Sequence, residues 1–231
     1  MDQRYYNKFA VAAVRGSLKR LHKSSMLSSE LMTKDLDALA ESECDQILGA
    51  ASKCGIKLYH FKETHQDLPR VKMVLGVLKG LSFESLMDVG SGRGVFLIPF
   101  MQTFPYVEVK SVDILDKRIE MLSDIRNGGV ENLEVYKADI CQKPFPDNSV
   151  DVITMLEVLE HIPDVQSAIS AAVSIARSYI IVTVPSKEDD NPEHIHLLTK
   201  DKLTEYFNQA GVTKLSFNRV PGHLFMIAKV G

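Results

Sequence analysis

The chain has 231 residues, 45% of them hydrophobic and 25% charged, with a formal net charge of −3. That length suits one large domain, or a domain of roughly 150 residues with an extension, and a core of that size needs no disulfide or structural metal. The charge balance excludes a globally basic nucleic-acid binder. Three cysteines without a C-x-x-C pair exclude a disulfide framework, and no apolar run approaches the roughly 18 residues of a membrane span. The N-terminus lacks the charged, apolar and small-residue succession of a signal peptide. The expectation is a soluble protein of the reducing cytoplasm.

Residues 4–23 read as an amphipathic helix. Ala10, Val14, Leu18 and Leu21 share one face; Arg4, Lys8, Arg15, Lys19 and Lys23 share the other. Residues 1–23 carry six basic residues against one acid, Asp2. Such a face is either solvated or turned to phosphate, RNA or an anionic lipid surface. Residues 34–54 predict one or two further helices, with Ser42 and Asp45 at capping-box spacing and Gly55 as a stop. This stretch is acidic, through Glu30, Asp35, Asp37, Glu41, Glu43 and Asp45. Residues 1–68 are therefore expected to form a helical, charge-polarised extension, and 69–231 the main domain.

Pro69 opens a helical pattern through Val71, Val74, Leu75, Leu78 and Leu81. Strand and helix then alternate. Strands are predicted at 85–90, 107–114, 133–140, 149–156 and 179–185, with helices at 95–104, 116–129, 164–176 and 200–211. Two last strands, near 213–220 and 223–230, turn on Pro221-Gly222. This alternation means an α/β fold, with a doubly wound and mostly parallel sheet covered on both faces. Its ligand belongs at the carboxyl ends of the strands.

DVGSGRG (88–94) joins the first strand to the first helix of that series. Gly90, Gly92 and Gly94 permit a tight turn and a close ligand approach. The spacing is G-x-G-x-G with Asp88 two residues ahead, whereas a pyrophosphate loop is G-x-G-x-x-G. An acid at that place repels phosphate and attracts an ammonium. Asp113 ends the second strand, 23 residues after Gly90, where a carboxylate can accept both hydroxyls of a ribose. Asp139, at the end of the third strand, can accept from an adenine amino group, with Ile114 and Ile140 available to sandwich the ring. Acids at strand ends are also common turn formers. Three at successive strand ends, beside this loop, make chance a poor account.

LMDVGSGRG, SVDI, KADI and DVITMLEVLEHI, in this order, resemble the class I S-adenosylmethionine-dependent methyltransferases, in particular the type 11 branch that includes quinone biosynthesis. The resemblance covers residues 70–231. It implies a Rossmann-like seven-stranded sheet whose last strand is antiparallel, and S-adenosyl-L-methionine as cofactor. It implies cofactor contacts from Asp88, Gly90, Ser91, Gly92, Gly94, Asp113, Ile114, Asp139, Ile140 and Leu156. It also implies that the N-terminal extension caps the acceptor site.

EVLEHI (157–162) follows the fourth strand, and on a helical turn Glu157, Glu160 and His161 span an arc of about 100°. NPEHIHLLT follows the fifth strand and brings Glu193, His194 and His196. SKEDDNP (186–192) between them reads as a polar lid. The two clusters are expected to face one pocket. The polar set can be a pocket rim. It can supply a general base from His161, His194 or Glu157. Or Glu157, Glu160, His161 and His194 can bind a divalent cation, a pattern that resembles the metal-dependent small-RNA 2′-O-methyltransferases. The expected acceptor is a hydroxyl or carbon of a small molecule. An RNA acceptor and a non-catalytic, cofactor-binding regulator are the alternatives, and the sequence leaves oligomeric state open.

Overall fold

A computed structural model describes residues 6–53, 56–188 and 190–231. The readings placed on Arg4 and Gly55 lie outside the described residues, as does Asp189 of the lid segment. Among the described residues four α-helices come first: α1 (Asn7–Arg20), α2 (Ser29–Thr33), α3 (Glu41–Lys53) and α4 (Pro69–Leu78). The alternating series follows as β1 (Ser85–Val89), α5 (Leu97–Thr103), β2 (Glu108–Asp113), α6 (Asp116–Asn127), β3 (Leu133–Lys137), β4 (Val150–Leu156), α7 (Val165–Ile175), β5 (Ala176–Pro185), α8 (Lys200–Gln209), β6 (Leu215–Val220) and β7 (His223–Lys229). No helix among the described residues is long and apolar enough to cross a membrane.

The seven strands among the described residues form one sheet in the order β3-β2-β1-β4-β5-β7-β6. β1 to β5 pair in parallel, and β7 runs antiparallel to both β5 and β6. The expected doubly wound sheet with an antiparallel last strand is therefore what the chain builds. Successive side chains of a strand face opposite layers. Leu86, Val109 and Val152 pack with α4, α5, α6 and one side of α1. Met87, Val112 and Ile153 pack with α7 and α8. The strand order reverses between β1 and β4, so the ligand crevice opens there.

α1 departs from the amphipathic expectation. Phe9, Ala10 and Ala13 face the sheet layer, while Val11, Val14 and Leu18 face a separate cluster with α2 and α3. A helix buried on both sides has little solvated face, and Arg15 is only 2% exposed. Its guanidinium donates to the carbonyls of Leu31 and Lys34, each at 2.7 Å. Lys8 pairs with Asp37 at 2.6 Å, Lys19 donates to Asn127 O at 2.7 Å, and Arg20 donates to Asp124 at 2.8 Å. These α1 cations bond inside the chain, which a one-helix charge pattern does not reveal.

The predicted capping box is displaced as well. α3 begins at Glu41, so Ser42 lies within the helix, and it is Glu43 that accepts from Ala40 N at 2.7 Å. The Glu43 carboxylate also pairs with Lys34 at 2.8 Å.

Candidate functional site

Asp88 lies in the middle of the sheet, paired with Ser111 of β2 on one side and Thr154 of β4 on the other. Thr154 Oγ1 donates to its carboxylate at 2.6 Å. Burial pushes the Asp88 carboxyl up to about 7, opposed by that hydroxyl bond. Beyond it the chain turns through Gly90, Gly92 and Gly94, with φ of +69°, +56° and +72°. A Cβ at Gly92 would meet nothing nearer than Gly90 O at 3.8 Å, so glycine here serves the left-handed backbone and leaves the space above the loop open. Gly92 N donates to Asp113 Oδ2 at 3.0 Å, and Leu115 N donates to Oδ1 at 2.9 Å. A carboxylate has about four lone-pair positions, so each oxygen keeps one for a further donor.

A cavity of about 310 Å³ lies over this loop, lined among others by Arg70, Asp88, Gly92, Arg93, Leu156 and His161. A larger cleft of about 560 Å³, lined by Glu84, Asp151 and Arg177, sits at the amino-terminal edge of the strands, away from the switch point.

Of the two acids foreseen for the nucleoside end, Asp113 ends β2 as expected, and Asp139 departs from the strand-end placement. Asp139 lies two residues past the end of β3 and caps a 3-10 turn at Ile140–Gln142, accepting from Cys141 N at 2.9 Å. Ile114 is 63% exposed, but Ile140 is 3% exposed and packs in the core, so it offers no open face to a ring.

EVLEHI is not one helical face. Glu157 has a φ of +58°, and only Leu159–His161 form a 3-10 turn. Left-handed backbone on a non-glycine residue has to be held by its surroundings. Glu157 N donates to Thr183 O at 2.9 Å, its Oε1 accepts from Thr183 Oγ1 at 2.8 Å, and its Oε2 meets His223 Nε2 at 3.0 Å. These bonds separate Glu157 from the group that gathers: Glu160, His161 and His194 bring their ligand atoms within 4.8 Å of one another.

The two polar segments do meet. His161 Nδ1 lies 2.8 Å from Glu193 O, Ile195 N donates to Glu160 O at 2.9 Å, and His196 Nε2 lies 3.1 Å from Ile162 O. A carbonyl can only accept, so His161 carries its proton on Nδ1 and keeps Nε2 as an acceptor. His196 has the opposite tautomer, its Nε2 being the donor. The rings of His161 and His194 meet edge to face at 4.8 Å.

Sequence reasoning missed Arg70, Arg93 and Arg118, all of which line the cavity. A signal was present. Arg70 and Arg118 sit in the first turns of α4 and α6, where a cation opposes the helix dipole. Arg93 interrupts the glycine loop itself.

A family profile described as Methyltransferase domain matches residues 87–179. The ubiquinone biosynthesis O-methyltransferase of Cupriavidus pinatubonensis is 30% identical over 120 residues, which is 51% of this chain and 47% of that protein. The 27-O-demethylrifamycin SV methyltransferase of Amycolatopsis mediterranei is 29% identical over 155 residues, 59% of this chain and 57% of its own. A solved SAM-dependent methyltransferase from Aquifex aeolicus aligns with a TM-score of 0.61 at 20% identity, covering 73% of this chain and 94% of that one. At such identity the likeness concerns the fold. The chain spans about half the length of the curated relatives it matches.

Proposed function

Because the chain carries a methyltransferase domain of the class I S-adenosylmethionine-dependent type, we propose that it moves a methyl group from S-adenosyl-L-methionine to a hydroxyl or carbon of a small molecule. Residues 1–68 cap the acceptor side, and the free thiols Cys44 and Cys141 fit a reducing cytoplasm. The observation that carries this reading is the cavity at the switch point of the sheet, lined by Asp88 and by the open glycine loop, whose Gly92 N donates to Asp113. The donor set fits the cofactor. Asp113 has free lone pairs for ribose hydroxyls, Asp88 is an acid for the ammonium, and Arg70 stands at the same cavity for the carboxylate. When bound, the cofactor supplies a methyl group already activated on a sulfonium, so alignment and exclusion of water are the protein's main task.

The state of Asp88 sets a pH dependence. Its raised carboxyl favours the folded chain below the ordinary carboxylate range of about 4, and that contribution is lost as pH rises through about 7. An ammonium prefers the ionised carboxylate. Cofactor affinity should therefore tighten as pH rises from about 6 to 7.5, then weaken as the cofactor's own amino group loses its proton near pH 8. Calorimetric titration across that range checks this. Asp88→Asn should flatten the acidic limb, and a flat limb in the unsubstituted protein would remove Asp88 from the ammonium site.

His161 is the base of choice for a hydroxyl acceptor. Nδ1–H is fixed on Glu193 O, and Nε2 receives the proton. Glu157, bound to Thr183 and His223, shapes the strand exit. His194 supports His161 through the ring contact. A second reading rests on the gathering of Glu160, His161 and His194, a mixed carboxylate and imidazole set that suits a divalent cation. One set of assays separates the two. As a base, His161→Ala lowers turnover about 100-fold with little change in cofactor affinity, and EDTA has no effect. As a ligand site, EDTA and Glu160→Gln both abolish turnover, and added zinc or manganese restores the EDTA-treated protein. Full activity of His161→Ala without any response to EDTA returns the cluster to a pocket rim.

A further inference from the structure

A second cavity of about 410 Å³ lies between α1, residues 56–61 and the first half of α6. It shares Arg93 and Arg118 with the cavity over the glycine loop, so the two have a common wall. Its remaining basic residues are Arg20, Lys57 and Lys117, against two acids, Glu120 and Asp124. Arg20 binds both acids, at 3.3 and 2.8 Å. Arg93, Arg118, Lys57 and Lys117 form no ion pair among the described residues. His60, on the same wall, is driven down to about 4 by its own burial and then by the neighbouring Arg93, Arg118, His65 and Lys57.

These cations are not accounted for by the cofactor. Its amino-acid end carries one carboxylate, and Arg70 lines the first cavity only. Arg118 stands in the first turn of α6, where its charge opposes the dipole unless an anion joins it. The chain as a whole has a net charge of −3, so this concentration is local. Tyr59 and His60, with ring centroids 3.9 Å apart, and the side chains of Leu21, Ile56 and Met121 give the cavity apolar wall as well.

We propose that the methyl acceptor is an anionic small molecule whose carboxylate or phosphate is held by Arg93, Arg118, Lys57 and Lys117 in the cavity between α1 and α6. The proposal rests on the methyltransferase reading and names its substrate class. Arg93 and Arg118 anchor the anion at the common wall, which keeps the rest of the molecule next to the glycine loop. Lys57 and Lys117 line only the far cavity and are exposed, so they can be replaced without touching the cofactor.

The test is calorimetry on the full chain saturated with S-adenosylhomocysteine, using benzoate, phenyl phosphate and neutral phenol as probes. At least one anion should bind about tenfold more tightly than phenol, and the Lys57→Gln/Lys117→Gln double variant should lose about tenfold in that affinity. The variant's affinity for S-adenosylhomocysteine should stay within about twofold of the original. Preference for benzoate assigns a carboxylate, and preference for phenyl phosphate assigns a phosphate. Equal binding of phenol and both anions, no binding of either anion, or an unchanged double variant overturns the proposal while the methyltransferase reading stands. A short RNA binding in place of both small anions also overturns it and assigns the basic wall to nucleic acid. Failure of S-adenosylhomocysteine itself to bind defeats the underlying reading and this proposal with it.

Discussion

Replacing Asp113 with alanine is expected to weaken S-adenosyl-L-methionine binding about 100-fold, with the protein still folded. Two charge-assisted bonds to ribose hydroxyls are worth about 1.5–3 kcal/mol each, and the low end of their sum, about 3 kcal/mol, is a factor of about 100 in Kd. The same carboxylate also fixes the loop by accepting from Gly92 N and Leu115 N, at 3.0 and 2.9 Å. Its removal therefore costs the ligand both a partner and a pre-shaped loop. Asp113→Asn keeps one carbonyl oxygen and should fall between the two. Calorimetry gives the affinity, and a melting curve shows that the fold is intact. Unchanged affinity in Asp113→Ala would remove this residue from the cofactor site.

Gly128→Ala and Gly16→Ala should each lower stability by about 3 kcal/mol, at the upper end of overpacking losses. In a chain of this size that is a fall of roughly 10 °C in Tm. α1 crosses α6 so closely that a Cβ on Gly16 would lie 1.9 Å from Asp124 O, and one on Gly128 would lie 1.8 Å from Ala12 O. Both obstacles are backbone, so no rotamer change relieves them and the helices must part. Alanine in place of glycine inside a free helix would gain about 0.5–1 kcal/mol, which is smaller than the steric cost. Parting the helices also disturbs the buried Asp124, which accepts from Ser17 Oγ at 2.6 Å and Arg20 Nε at 2.9 Å. A melting temperature that holds or rises in both variants would show that α1 does not pack on α6 at this distance.

The sheet was legible because its strands are short β-branched runs between glycine and proline stops, and because acids fall at successive strand exits. Pro69 as the first residue of α4 was equally plain. What escaped depended on partners distant in sequence. Arg15 reads as a surface cation until α2 and its following turn supply the carbonyls of Leu31 and Lys34. Gly16 and Gly128 read as a weak helix residue and a helix stop, and their purpose appears only when the two helices cross. Glu157 fits a helical pattern, yet Thr183 and His223 hold it left-handed and leave Glu160 to join His161 and His194. The second cavity combines residues from four separate segments, so no single motif could announce it.

Label transfer shows whether this chain methylates a small molecule. The protein is incubated with methyl-labelled S-adenosyl-L-methionine and a cell extract, with and without EDTA, and small molecules, RNA and protein are then separated. Label is expected in the small-molecule fraction, on a compound retained by an anion exchanger. Label confined to RNA or protein, or cofactor binding with no transfer to any fraction, would contradict that expectation.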